Sequence, residues 1–140
     1  MGEEMSRLAA FQAAWAPNVL AALRIMSALL FLAHGTQKLF GFPPSPMASD
    51  GALPPLLMTA GLLEVIGGIL LGIGLFTRPV AFVLSGMMAV AYFLAHAPRG
   101  LYPATNGGDA AILFCFIFLY LFFAGGGSPS LDTLIARRKS

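Results

Sequence analysis

The chain has 140 residues, of which 58% are hydrophobic and only 10% charged, with a mean hydropathy of +0.83. A soluble domain carries about 25% charged residues, so an ordinary water-soluble fold is excluded and an integral membrane protein is indicated. A formal charge of +2 without a basic stripe excludes a nucleic-acid-binding surface, and a lone cysteine excludes an intrachain disulfide and any CxxC redox or zinc site.

In chain order, Met1 to Ala16 sets Met5, Leu8, Gln12 and Trp15 along one side, with Glu3, Glu4 and Arg7 nearby. It reads as a short interfacial helix with Trp15 at headgroup level. Against a cleaved signal peptide, the next apolar run is long, carries Arg24 and ends at His34-Gly35 without a small-x-small cleavage site. The first crossing is expected at 17–40, with Pro17 in its first turn. The proline-rich stretch Gly41 to Gly51 cannot be helical throughout. The second crossing, 53–76, opens with Pro54-Pro55 and has 24 residues, enough to pass a ~30 Å hydrocarbon layer at about 1.5 Å per residue. Thr77-Arg78-Pro79 predicts a tight turn, with Thr77 as N-cap and Pro79 in the first turn of a third crossing, 79–96. Ala97 to Gly107 is a second polar loop, and a fourth crossing, 108–124, is stopped by Gly125-Gly126-Gly127. The tail Ser128 to Ser140 predicts a short amphipathic helix capped by Ser130 and ending in Arg137-Arg138-Lys139. The expected fold is all-α, one domain over 1–140 built as a four-transmembrane-helix bundle.

Basic residues in short flanks set orientation. An even number of crossings puts both termini and the 77–79 turn on one side, with Arg7, Arg78, Arg137, Arg138 and Lys139, and with Arg24 able to snorkel towards it. The other side has only Lys38 and Arg99. Both termini are expected in the cytoplasm of a bacterial-type inner-membrane protein.

Glu64 stands at the middle of the second crossing. At about 100° per residue it shares an arc of about 80° with Gly61, Gly68 and Gly72. Glycine grooves are where membrane helices approach closely, and a bare carboxylate in lipid costs several kcal/mol, so Glu64 should face protein or trapped water. The other helices carry matching stripes: Arg24, Ser27, His34 and Lys38; then Ser85, Ala89, Tyr92 and His96; then Asn106, Asp109, Leu113 and Tyr120. Turned inward, these stripes would satisfy one another. Counted from the outward ends, His34 lies ~9 Å deep, Tyr92 ~6 Å, and Glu64 and Tyr120 ~16 Å. Lys38, His96, Asn106 and Asp109 line the outer mouth. An outward-opening polar pocket with Glu64 towards its floor is the expected site.

The sequence resembles the DoxX family of small four-helix membrane proteins. The similarity is carried by LRIMSALLFLAHGTQKLFGF (23–42), GLLEVIGGILLGIGLFTRPVA (61–81), NGGDAA (106–111) and GSPSLD (127–132). Asp109 stands where a glutamate is common, and the tail lacks the arginine and aromatic often found before SLD. The resemblance implies association with membrane redox complexes, such as a thiosulfate:quinone oxidoreductase subunit or oxidative-stress assemblies with soluble enzymes.

Glu64 and His34 are the candidate catalytic residues. Glu64 would accept a proton or anchor a polar ligand head, and His34 would bond a quinone carbonyl or relay a proton. Lys38, Tyr92, His96, Asn106, Asp109 and Tyr120 are candidate ligand-binding residues. Each has a structural alternative: Glu64 as a hydrogen-bonded core carboxylate, Lys38 snorkelling, and Asn106 with Asp109 as a helix start. His34 and His96 could in principle bracket a haem, but no further signature accompanies them. Cys115 reads as a packing residue and Arg24 as an interface marker. Two functions follow. One is a redox-complex subunit holding a quinone or similar hydrophobic ligand, with electrons from a soluble or membrane partner. The other is a non-catalytic scaffold, cargo receptor or small-solute transporter. The bilayer is a partner in both, and the small-residue faces permit a homo-oligomer.

Overall fold

The computed structural model describes residues 1–44 and 53–139, and among these every regular element is helical. Helix α1 spans Gly2–Phe40, α2 Pro55–Ile73, α3 Thr77–Ala91, the single-turn α4 Pro103–Asn106, α5 Asp109–Ala124 and α6 Leu131–Lys139. A π-helical turn, Tyr92–His96, and a 3-10 turn, Ala97–Arg99, prolong α3. Among the described residues three rods are long and apolar enough to cross a membrane: Gly2–Phe40, Pro55–Ile73 and Thr77–Arg99. Helix α5 is apolar but shorter, with 16 residues. Most of the proline-rich stretch 41–51 lies outside the described residues.

The segment expected as a separate interfacial helix is continuous with the first crossing: Pro17 lies inside the 39-residue α1. A proline removes one intrahelical hydrogen bond. Here the alanines at 9, 10, 13, 14 and 16 carry the helix up to and past it. Every residue from 1 to 19 is exposed, so this part of α1 projects from the bundle.

Glycines set how closely α1 and α2 pack. A Cβ on Gly35 would sit 2.8 Å from Val65 Cγ2 and 2.9 Å from the Val65 backbone nitrogen; one on Gly68 would sit 3.2 Å from the Ala28 carbonyl oxygen. The helices meet backbone against backbone, as the glycine arc around Glu64 predicts. Beyond this seam, Phe31 of α1, Leu71 of α2, Leu84 and Met88 of α3, and Phe118 and Leu121 of α5 form the core. Phe31 meets Phe118 edge-to-face at 4.9 Å.

The α5 stripe departs from expectation. Leu113 and Tyr120 are 63% and 57% exposed and Asp109 is also exposed, while the opposite side, Ala111, Phe118 and Leu121, is buried. The aromatic side fills the core better than a stripe containing one acid, one leucine and one tyrosine, so the stripe faces out. At the start of α3, Thr77 is not the cap: Phe76 occupies that position at φ 50°, and Asp132 of α6 accepts hydrogen bonds from the Phe76 and Thr77 backbone N–H at 2.9 and 2.8 Å. Ser130 caps α6, its Oγ accepting from the Thr133 N–H at 3.2 Å.

Candidate functional site

Lys38 lies in the last turn of α1 and Glu64 in the middle of α2. Lys38 Nζ donates to Oε1 and Oε2 of Glu64, both at 2.6 Å. The Glu64 side chain is 4% exposed and that of Lys38 29%, so the carboxylate is enclosed while the ammonium keeps one edge open. Glycine packing creates the enclosure: a Cβ on Gly35 would lie 2.9 Å from Glu64 Cβ, and one on Gly61 3.3 Å from Lys38 Cβ. Burying both charges is costly, and short charge-assisted bonds to both oxygens offset that cost. An ammonium has three N–H groups, so one remains for another acceptor. His34, one turn before Lys38, is exposed, stands edge-on to Phe114 at 6.3 Å and interacts electrostatically with Glu64.

The other predicted site residues fall into two further places. Tyr92 and His96, in the π turn, stack at 6.4 Å. His96 Nδ1 lies 3.2 Å from the Asn106 carbonyl oxygen. Buried Asn106 ties the loop together: its Nδ2 donates to the Gly100 carbonyl at 2.9 Å, and its Oδ1 accepts from the Gly108 N–H at 2.8 Å. Gly108 is required, since a Cβ there would lie 2.6 Å from Tyr92 Cε2. Asn106 is therefore a loop brace two residues before the cap, which is Gly108, and not itself the N-cap of α5. Tyr120 lies in neither group; it lines a cleft with Pro17, Thr77 and Gly125, at the end where α3 starts and α5 finishes. The structure thus joins Lys38 and Glu64, with exposed His34 one turn away on α1, groups Tyr92, His96 and Asn106 separately, and places Tyr120 with other residues. The two histidines have different neighbours, and among the described residues no three metal-ligating side chains cluster.

Arg24 corrects the expectation of snorkelling. It is 1% exposed. Its Nε donates to the Gly126 carbonyl at 2.7 Å, Nη1 to those of Leu71 and Gly72, the latter at 2.8 Å, and Nη2 to that of Pro129 at 2.7 Å. One guanidinium thereby takes up the carbonyls ending α2 and those of the C-terminal strap. Arginine suits this because its planar donors fan outward. The signal was available in the position of Arg24, well inside an apolar run, and in the aspartate of SPSLD. Their partners are distant in sequence and could not be read from spacing.

The DoxX family model matches residues 19–97, just over half of the chain. The chain belongs to the DoxX family. A Haemophilus influenzae Rd relative of this DoxX protein, named only as uncharacterized, is 48% identical over 120 residues, covering 83% of this chain and 90% of that protein. The Escherichia coli K12 protein named inner membrane protein YphA is 33% identical over 130 residues, covering 83% of this chain and 89% of its own length. No solved structure matches the chain. The DoxX match contains Arg24, the Lys38–Glu64 pair, Tyr92 and His96; Asn106, α5 and the strap lie beyond it.

Proposed function

We propose that this DoxX-family chain is an inner-membrane subunit of a redox complex that holds the head of a quinone, or of a similar hydrophobic ligand, beside the Lys38–Glu64 pair. The inner-membrane placement follows the name of the E. coli relative. Helix α5 serves as a fourth crossing, Arg78 binding its last carbonyls, and the termini lie on the cytoplasmic side with Arg78, Arg137 and Arg138.

The observation carrying this reading is the asymmetric burial of the ion pair. Glu64 is sealed and engages Lys38 with both carboxylate oxygens, while the ammonium's exposed edge leaves an N–H for a ligand, one helical turn along α1 from His34. A quinone carbonyl accepts that N–H and a hydrogen bond from the imidazole. Reduction to the quinol takes two electrons, supplied by a partner subunit, and two protons: one reaches the held carbonyl oxygen through His34, and the other reaches the far carbonyl oxygen from water. Glu64 stays ionised and holds the ammonium in place.

Purified chain tests this directly. Extracted in mild detergent, it is expected to carry quinone at near one per chain. His34→Leu, on an exposed position, should lose the quinone while keeping its elution volume and helical spectrum. Absence of bound quinone from the wild type, with no binding of added short-chain quinone, would overturn the reading. A second reading, a non-catalytic scaffold, cargo receptor or transporter, draws on the closure of the pair upon itself, both carboxylate oxygens being used by Lys38. In that case His34→Leu changes no bound small molecule.

A further inference from the structure

At the end of the bundle opposite Lys38, a cleft of about 810 Å³ opens between the emerging part of α1, the start of α3, the end of α5 and the strap 125–136. Its apolar wall includes Leu20, Phe76, Pro79 and Ala124. Its polar side is built around Arg78. Nη1 of that residue is occupied by the carbonyls of Phe122 and Phe123, at 3.0 and 2.7 Å. Nε and Nη2, the parallel pair that grips a phosphate or carboxylate in two-pronged fashion, lie alongside Gly125. A Cβ there would stand 3.4 Å from Nη2 and 3.7 Å from Nε, so the glycine, at φ 87°, puts no side chain against that edge of exposed Arg78.

Two further features favour an anion. Thr77, in the cleft wall, has the one buried side-chain oxygen without a hydrogen-bond partner among the described residues. The carboxylate in the lining, Asp132, has both oxygens committed to the Phe76 and Thr77 N–H groups, and Arg24 interacts with it electrostatically. Arg78 and Asp132 are the charged residues of the lining, and with the Asp132 oxygens already taken by backbone N–H groups it is Arg78 that faces an incoming anion, at a cleft whose other wall is greasy. The cleft lies where α1 emerges from the packed bundle.

We propose that this cleft binds one anionic phospholipid, its phosphate on Nε and Nη2 of Arg78 and an acyl chain along Leu20 and Ala124. The test uses the full chain in maltoside micelles, read by native mass spectrometry with phosphatidylglycerol or phosphatidylcholine of matched chains. Wild type should retain one phosphatidylglycerol, with about fivefold preference over phosphatidylcholine, the factor expected for one arginine near a headgroup. Arg78→Gln should abolish the preference. Ala124→Phe, which fills the cleft and removes no side-chain hydrogen bond, should prevent retention of either lipid and decides the matter if Arg78→Gln unfolds. Equal retention of both lipids by wild type, or retention unchanged in Ala124→Phe, would overturn the proposal. So would Arg78-dependent binding of inorganic phosphate without lipid retention, which would mark a site for a soluble anion.

Discussion

Lys38 and Arg24 share one face of α1, and the bundle accommodates their charges by different means. Lys38 hydrogen-bonds to an opposite charge, whereas Arg24 places its hydrogen bonds on carbonyl oxygens, spread over two segments. The first arrangement depends on both partners. Removing either leaves a buried charge unmatched, while removing both leaves an apolar seam. In a thermodynamic cycle by denaturant titration in micelles, Lys38→Met and Glu64→Leu should each cost about 3–5 kcal/mol, and the double variant clearly less than their sum. Additive losses would mean that the 2.6 Å contacts contribute nothing to stability. The Lys38–Glu64 link was readable in part, because an acid in mid-membrane demands a partner and few cations are available. Choosing between Lys38 and Arg24 was not, since both lie on the same helical face.

Among the helices, α2 is the most clearly written. Its acid and glycines fall on one arc, and close contact with α1 follows because nothing projects there to hold the backbones apart. Gly35→Ala measures that contact: its new Cβ would press on the Val65 backbone at 2.9 Å, which a rotamer change cannot relieve. The expected cost is about 1–3 kcal/mol, read as a lower melting temperature in detergent. An unchanged melting temperature would mean that α1 and α2 slide freely. Helix α5 was harder to read for the opposite reason. It is apolar on every side, so its few polar residues do not fix which side turns inward, and the fit of Phe114 and Phe118 around Phe31 decides instead. Helix α1 concealed its continuity because Pro17 signals a start more often than an interior position.

Taken whole, the molecule is closed by its last residues. The strap reaches Pro17, Arg24, Gly74 and the first turn of α3, with Ser128 N–H on the Pro17 carbonyl at 3.0 Å and Asp132 N–H on the Gly74 carbonyl at 2.9 Å. A chain ending at Ala124 should therefore lose far more than a surface tail. Its helical signal should persist, but thermal unfolding should become broad and protease resistance of the 74–79 turn should fall. A sharp transition unchanged from the full chain would show that the strap is dispensable. The α6 cap is legible in the sequence, being a local matter of Ser130 and Thr133. The closure is not, because its contacts join residues as far as 105 positions apart. That separation constrains biogenesis. A nascent α1 leaves the ribosome with an arginine whose remaining carbonyl acceptors have not yet been translated. It must wait beside the insertion machinery, or at the water boundary, until the segment carrying Gly126 and Pro129 has followed, so α1 cannot settle into its final place before the strap is made.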